Sequence, residues 1–518
     1  MLAEVVSTLV RTRSGWKIKR ELFLENGGIL SYEAPGAAVD DGLVEAGTPE
    51  CRGPSEAILY QRAQDALVAR ALPGTVQQLG GELTLLKNCR DAEGHYYGAQ
   101  ENYEAEIARG GWLFAWRAGV VALAPVVAIS CLASWAVLAA LMLVVLAMVL
   151  VVTAISLLPR LERLHDAIHP EGSFLRVLLQ RPLAWIERAL WEPPMILVLA
   201  LYRLCAFREL RRGLLPFLIS RPIITGAGTL VDDRFALSEK AVAVRRISRW
   251  WLGQRGLSIF EPGNLCKRLR GPVFLDFAAF RSLFRRRQRL QIGLSDSNMA
   301  QTAEYLKVAT TCLVIDLIEA GLRDHPHVRQ PLHALRKIVD GDHAHAIALQ
   351  RSYLAAARRF VEEAPAVPLE VSEVIARWST TLDAIEHAPS TLIGQLDWIT
   401  KQALIEKAGV TPDERKKIDL KYHELETGYF AVLEARGLAP ILVTPEEAQI
   451  ASVEPPSTTP ARARARLIRD LADVAKVTIG WDRVQIGGRI GGKVIRLDDH
   501  RDTSRAGTGT PSTSRAKS

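Results

Sequence analysis

No CxxC pair occurs among the six cysteines, which stand far apart at 51, 89, 131, 205, 266 and 312. Zinc ribbons and disulfide scaffolds are thereby excluded, and a reducing compartment is expected. No signal-peptide pattern opens the chain, because Glu4, Arg11 and Arg13 interrupt any apolar run there. No internal repeat is visible. The most telling absence is charge: from Ala118 to Pro159, 42 residues pass without a charged side chain.

One membrane-spanning helix needs about 20 apolar residues, so this run exceeds one span. The sequence predicts two spans, roughly 114–134 and 137–158, with the turn at Ala133–Ser134–Trp135. Arg109 and Arg117 precede the run, and Arg160, Arg163, Arg176 and Arg181 follow it. Positive charge at both ends fits a hairpin whose two ends are cytoplasmic. The expected localisation is therefore a cell inner membrane, with two spans and the rest of the chain cytoplasmic. A further apolar stretch, Pro193 to Tyr202, is too short to span and reads as an interfacial or amphipathic helix.

What is present elsewhere reads as a globular protein. The chain has 518 residues, 48% of them hydrophobic and 24% charged, enough for two or three domains. The net charge of +8 points to an anionic partner: nucleotide phosphate, an acidic protein or anionic lipid. Nucleic acid is not expected, because no recognition motif accompanies the charge. Alternation predicts strands at 21–33, 81–88 and 476–497. Helical spacing of apolar residues covers 299–321, 345–363, 368–386 and 390–408. From Thr503 to Ser518, eight of sixteen residues are Ser or Thr, which predicts a disordered tail.

Polar residues cluster in three places. One is Lys87–Asp91 followed by Gly94 and Tyr97–Tyr103. The second holds Asn26–Gly28, Glu33, Glu45 and Thr48–Cys51. The third is Ser220–Arg221, Gly226–Gly228 and Ser295–Asn298. Carboxylates with few soft ligands suit Mg²⁺ rather than zinc, and Mg²⁺ implies phosphate chemistry. Taken singly, each cluster is better explained by turn and cap chemistry. His325, His327, His343 and His345 stand in pairs two apart. That spacing serves one side of a strand, whereas their neighbours read as loop and helix, so a metal role is disfavoured.

In order and spacing these pieces resemble one family, the Pup ligases and Pup deamidases/depupylases (PafA and Dop), carboxylate-amine ligases related to glutamine synthetase. The resembling segments are FLENGGILSYE at 23–33, TPEC at 48–51, LLKNCRDAEGHYYGAQENY at 85–103, LLPFLISRPIITGAG at 214–228 and RLQIGLSDSNMAQTAEYLKVATTCLVIDLIEAG at 289–321. Further segments are LDWITKQALIEK at 396–407, IDLKYHELETGYF at 418–430, PPSTTPARARARLI at 455–468 and GWDRVQI at 480–486.

The resemblance implies an α+β fold with a glutamine-synthetase-like antiparallel sheet cradle and a small C-terminal domain; the apolar run places a two-helix membrane hairpin as an interruption that the family does not have. The expected divisions are 1–110, an inserted 111–208, 209–410, 411–498 and a tail 499–518. It also implies ATP and Mg²⁺ as cofactors and a Pup-like acidic modifier and lysine-bearing proteins as partners; the apolar run, not the resemblance, adds the bilayer as a third. ATP would turn the modifier's C-terminal carboxylate into an acyl phosphate that an amine displaces, needing phosphate clamps, metal carboxylates and a base. By position, Glu101, Glu45 and Glu50 correspond to metal carboxylates and Glu33 to the catalytic aspartate. Lys87, Arg221, Arg462 and Arg464 correspond to phosphate contacts, Trp481 to the adenine neighbour, and Ser297 and Asn298 to the cradle lining.

Departures from the family pattern fall at catalytic positions. The opening strand with two metal-binding glutamates does not occur; Ala3–Thr12 resembles the helix that follows it. Glu33 replaces an aspartate, and Gln100 and Gln291 replace histidines. An amide cannot carry a proton as imidazole does. Three classes therefore stand: a membrane-tethered ligase or deamidase, a catalytically degenerate binding relative, and, disfavoured for lack of intramembrane charge, a transporter. The basic stretch 267–289 is expected to face either the modifier or the membrane.

Overall fold

The computed structural model describes residues 1–15, 21–33, 43–90, 95–156, 173–248, 257–263, 265, 277–322, 324–363, 369–457, 460–472, 474, 476–487 and 492–497. The Ser/Thr-rich tail and residues 267–276 of the basic stretch lie outside them.

After α1 (Leu2–Leu9), strands β1 (Thr12–Ser14), β2 (Glu21–Leu24), β3 (Ile29–Glu33) and β4 (Leu43–Gly47) form an antiparallel meander. Its sharp β2–β3 turn needs Gly27 at φ 86°, a left-handed conformation that glycine adopts without steric cost. Val5, Val6, Leu24 and Leu30 are buried against Leu67, Val68 and Ala71 of α2 (Pro54–Leu79). A second sheet has the order β5-β10-β9-β8, from β5 (Glu101–Glu106), β8 (Val244–Ser248), β9 (Leu257–Phe260) and β10 (Arg287–Ile292). Only its β8–β9 pair is parallel.

Between β5 and β10 the chain runs through α3 (Gly110–Ser156), α4 (Ser173–Cys205), α5 (Arg208–Ser220) and the single-turn α6 (Pro222–Thr225). The hairpin β6 (Thr229–Val231)–β7 (Arg234–Ala236), α7 (Glu239–Ala243) and α8 (Phe277–Ser282) complete this part. Helices α9 (Gln301–Ala320), α10 (Pro331–Val339), α11 (His343–Glu363), α12 (Leu369–His387) and α13 (Asp397–Ala408) follow. The chain continues through α14 (Pro412–Lys421), α15 (Tyr429–Ala435), α16 (Pro445–Ala451) and α17 (Pro460–Asp470). It then reaches the sheet β11 (Val477–Ile479), β12 (Arg483–Ile486) and β13 (Lys493–Arg496).

The main core runs from β5 and β10 through α5 and α9 to α11 and α12, with Phe217, Tyr353 and Trp378 packed edge to face. The C-terminal sheet shares a separate core with the N-terminal one: Phe23 and Ile29 meet Ile468, Ile479 and Val484. The fold is thus α+β, built from antiparallel sheets and helices.

Two expectations are refined. Residues 81–88 are extended but form no ladder; Leu86 bridges Glu424 singly, and the Lys87 N–H donates to the His423 carbonyl at 2.9 Å. The helix expected over 390–408 starts at Asp397, because a 3-10 turn at Pro389–Leu392 and Gly394 at φ 82° interrupt it.

The largest difference concerns the apolar run. No turn occurs at Ala133–Ser134–Trp135; α3 continues unbroken from Gly110 to Ser156. These three residues include no glycine or proline, and the Ser134 hydroxyl donates back to the Ser130 carbonyl at 2.8 Å, so the helix absorbs them. One segment of the described residues, Gly110–Val144, is long and apolar enough to cross a membrane. The stretch Pro193–Tyr202 is part of α4, which runs back along α3; Gly119 lies directly against Leu201. Near the body both helices join the main core through Trp116, Val198, Leu199 and Tyr202, and the Trp116 indole N–H donates to the Leu283 carbonyl at 2.9 Å.

This packing sets where the arm can be cut. Removing 111–208 strips buried Trp116, Leu199 and Tyr202 from the core, at about 1.5–3 kcal/mol each. That variant is expected to lose cooperative unfolding in circular dichroism. Replacing only 132–187 with a short linker should keep the transition within a few degrees of the full chain.

Candidate functional site

The β5–β10 ladder puts Gln291 opposite Asn102 and Ile292 opposite Glu101. Arg221, at the junction of α5 and α6, reaches this sheet end and is 1% exposed. Its guanidinium grips Glu101 through both oxygens, at 2.6 and 2.9 Å, and donates also to Thr311 Oγ1 (2.7 Å) and the Leu294 carbonyl (2.6 Å). Tyr103 hydrogen-bonds the same carboxylate. Burial pushes the Glu101 carboxyl up, but the Arg221 charge and hydrogen bonds outweigh it, with Lys307 and Tyr103 adding, and the group lies below the ordinary range. Beside this pair, the Gln291 side-chain amide donates to that of Gln100, so the two amides satisfy one another.

Asn298 and Ser297 lie in the loop before α9. Asn298 Nδ2 donates to Asp397 (2.9 Å) and to the Thr225 carbonyl (2.9 Å), and Asp397 also receives the N–H groups of Met299 and Ala300 and the Tyr422 hydroxyl, each at 3.0 Å. The Ser297 N–H and hydroxyl contact buried Cys89 Sγ at 3.3 and 3.5 Å. Asp296 accepts from Ala227 N, Lys240 N and Ser238 Oγ, which ties the GAG segment and α7 together. These two residues therefore hold the loop architecture.

A second frame joins the ends of the chain. Arg464 on α17 donates to the Gly27 carbonyl (2.8 and 3.0 Å), the Trp481 carbonyl (2.9 Å) and Glu50 (2.6 and 3.3 Å). Its guanidinium also lies 4.7 Å from the Trp481 ring centroid and 5.6 Å from that of Phe23. Arg464 thus clamps the C-terminal sheet onto the N-terminal one. Arg462, two positions away on the exposed side, donates to the Ser457 carbonyl at 2.6 Å. Lys87 pairs with Asp65 at 2.7 Å.

A third constellation was not singled out from the sequence. Lys401, wholly buried, donates to Asp419 (2.7 Å) and the Gly228 carbonyl (2.6 Å) and meets His423 Nε2 at 2.8 Å. Glu239 closes the group, 3.3 Å from His423 and accepting the Cys89 N–H at 2.7 Å. A signal existed: Asp397 and Lys401 stand four apart on α13 beside Leu404 and Ile405, and Asp419 and His423 stand four apart at the end of α14, spacings at which opposite charges can meet.

The carboxylates proposed for a metal fit it unequally. Both oxygens of Glu101 and of Glu50 are engaged by arginine, so neither is arranged to hold Mg²⁺. Glu45, exposed on β4, contacts Ser31 Oγ at 3.4 Å, and the register sets Glu33 one diagonal step away, opposite Leu43. Among the described residues no three His, Cys, Asp or Glu side chains converge as a metal site, including around the four histidines. The donor set shown therefore does not fit a protein-held Mg²⁺.

Acid should find the buried pairs. Burial raises Glu239 and Asp419, but His423 and Lys401 respectively outweigh it, and both carboxyls, like Glu101, lie below the ordinary range. Their stabilisation is present above the unfolded values of about 3.8–4.5 and disappears as pH falls below them. Asp296, raised by burial and Glu239, acts in the opposite direction. Urea midpoints should therefore drop steeply below about pH 4.5; a midpoint unchanged down to pH 3 contradicts this.

The site is set in an α+β body whose antiparallel sheets are locked by arginine–carboxylate pairs, and its relatives identify the family. A family model described as Pup-ligase protein matches residues 5–485, and the chain belongs to that family. It is 29% identical over 309 residues to the Pup–protein ligase of Acidimicrobium ferrooxidans, a match covering 55% of this chain and 65% of that relative. The Pup–protein ligase of Nakamurella multipartita is 29% identical over 321 residues, covering 57% and 68%. Among solved structures, the Pup ligase PafA in complex with ADP superposes with a TM-score of 0.61 at 20% identity, over 92% of this chain and 85% of that one. The complex between Pup and PafA gives 0.60 at 19% identity, over 96% and 84%. At these identities the two structures establish the fold.

Proposed function

We propose that this chain acts on the C-terminal Glu or Gln of a Pup-like acidic modifier, in an ATP-dependent step, with Mg²⁺ arriving on the nucleotide as Mg-ATP rather than held by protein carboxylates, that forms or hydrolyses an amide or isopeptide bond to a protein lysine. The observation that carries this reading is the family match across 5–485 on a scaffold whose buried ion-pair frames are complete. By the resemblance and by their neighbouring positions in the β3–β4 register, we assign Glu33 and Glu45 to the reacting groups; Trp481 and Arg462 flank the adjoining C-terminal sheet. Incubating the full chain with Mg-ATP, a modifier ending in Glu or Gln and a lysine-bearing protein should give a conjugate, or loss of the C-terminal amide, by mass spectrometry. No product with either modifier form overturns the reading.

One observation favours a second reading, a binding relative without catalysis. Glu101 and Glu50 are held by arginine, and amides occupy the Gln100 and Gln291 positions. On this reading calorimetry would detect modifier binding while no product forms.

The exposed apolar length of α3 supports attachment of the protein to a membrane. Leu132 and Trp135 are 69% and 65% exposed, and Met142, Leu146 and Leu150 follow on the same helix. Co-flotation of the full chain with lipid vesicles tests this; failure on every lipid composition refutes it.

A further inference from the structure

We propose that Glu239 on α7 is a positioning residue for nucleotide binding: it holds the Lys87–Arg90 segment in place, and Lys240 beside it completes the grip. The inference rests on the ATP-dependent reading above and names what fixes the backbone from which Lys87, one of its phosphate contacts, projects. Lys87 gives one of its three ammonium hydrogens to Asp65, which leaves two for phosphate.

The peptide groups of Cys89 are the first ground. Its N–H donates to Glu239 Oε2 at 2.7 Å. Its carbonyl accepts from the Tyr97 N–H at 2.8 Å, and the Tyr97 carbonyl accepts from the Lys240 ammonium. Two adjacent side chains of one short helix therefore grip Cys89 on both sides, Glu239 directly and Lys240 through Tyr97. Hydrogen bonds to an ionised partner are roughly twice as strong as neutral ones. Elsewhere the segment is tied by single backbone contacts: Leu86 bridges Glu424, the Lys87 N–H goes to the His423 carbonyl, and Arg90 bridges Tyr96.

The second ground is what places α7. With five residues it is too short to hold its own shape, since isolated helices need about 12–15. Asp296 anchors its first turn, accepting the Glu239 and Lys240 N–H groups at 3.2 and 2.8 Å and the Ser238 hydroxyl at 3.0 Å, and it also accepts the Ala227 N–H. On its other side Glu239 faces His423 at 3.3 Å and Lys401 at 3.8 Å. Lys401 donates to the Gly228 carbonyl, and its partner Asp419 accepts the Leu230 N–H at 2.9 Å. Glu239 is thus the side chain at which the Lys87–Arg90 segment, the Gly226–Gly228 turn and the Ser295–Asn298 loop meet. The third ground is burial: Glu239 and Lys240 are 2% and 3% exposed. Well-packed apolar residues would serve a purely structural role at least as well, because a buried charge must recover its desolvation from its partners. Two charged neighbours whose ends are committed to the backbone around one peptide fit positioning instead.

Hydrogen exchange and calorimetry on the full chain test this. Glu239→Leu removes the Cys89 acceptor. Glu239→Gln keeps an oxygen for it, and Lys401 and Asp419 still balance one another at 2.7 Å. In Glu239→Leu the peptide carrying Lys87–Arg90 should exchange about tenfold faster, and Mg-ATP affinity should fall by about the same factor, the equivalent of one hydrogen bond. Glu239→Gln should restore both to within about threefold of the native protein. Leu382→Ala, which opens the core at α12, should lower the urea midpoint without either change. The inference is overturned if Glu239→Leu leaves either readout unchanged, if Glu239→Gln is as impaired as Glu239→Leu, or if Leu382→Ala produces the same pair of changes. A native protein that binds no Mg-ATP refutes the nucleotide reading itself, and exchange of the Lys87–Arg90 peptide then decides alone whether Glu239 holds the segment.

Discussion

Arg221→Met should destabilise the protein by about 3–5 kcal/mol, because it leaves the Glu101 carboxylate buried without its partner. Methionine fills much of the space, so the loss comes from charge rather than from a cavity. Thr311 Oγ1 and the Leu294 carbonyl also lose a donor. The urea midpoint reports the loss, and Arg221→Met combined with Glu101→Gln should recover most of it, since an amide is far cheaper to bury than a lone carboxylate. A single substitution that leaves the midpoint unchanged would mean that the pair does not hold the β5–β10 end to α5.

Lys401→Met should cost a similar amount, about 3–5 kcal/mol, for a related but distinct reason. Here one ammonium lies among two carboxylates and an imidazole: Asp419 at 2.7 Å, Glu239 at 3.8 Å and His423 at 2.8 Å. Burial lowers the Lys401 ammonium, but Asp419 and Glu239 outweigh it and hold it above the ordinary lysine range. Without it, Asp419 and Glu239 face each other uncompensated, and both carboxyls should rise. The variant should therefore regain part of its stability on mild acidification, where the native protein does not. A deficit that is constant from pH 5 to pH 8 would rule out the charge explanation.

Both predictions concern residues whose place could be read only in part from the chain. The Arg221 and Glu101 segments were recognisable as polar pieces in an ordered series, and the resemblance marked both as site residues. Their mutual grip was not legible, because 120 positions and the whole arm separate them in sequence. Glu50 and Arg464 are a similar case, 414 positions apart. A single chain shows which side chains are polar; it does not show which of them meet, and a carboxylate already engaged by arginine differs chemically from an open one. The Lys401 group had a local signal in its i,i+4 charges, yet its Glu239 member comes from a distant helix.

What the sequence by itself determined is what depends on local pattern. The α+β class, the strands at 21–33 and 476–497 and the helices near 299–321, 345–363 and 368–386 follow from period, because alternation and 3.6-residue spacing are properties of neighbouring residues. The family followed from motif order, and the charge-free run marked the arm. What only the tertiary structure decided is how that run folds and what accompanies it. Composition alone allowed a turn at Ala133–Trp135, since a break every 20 apolar residues is what a bilayer asks of a hairpin. The helix continues instead because every backbone group there finds its partner one turn away, and the returning strand of the hairpin is the charged helix α4. That choice rests on the packing of α4 along α3, between residues some 80 positions apart, and no local pattern encodes it.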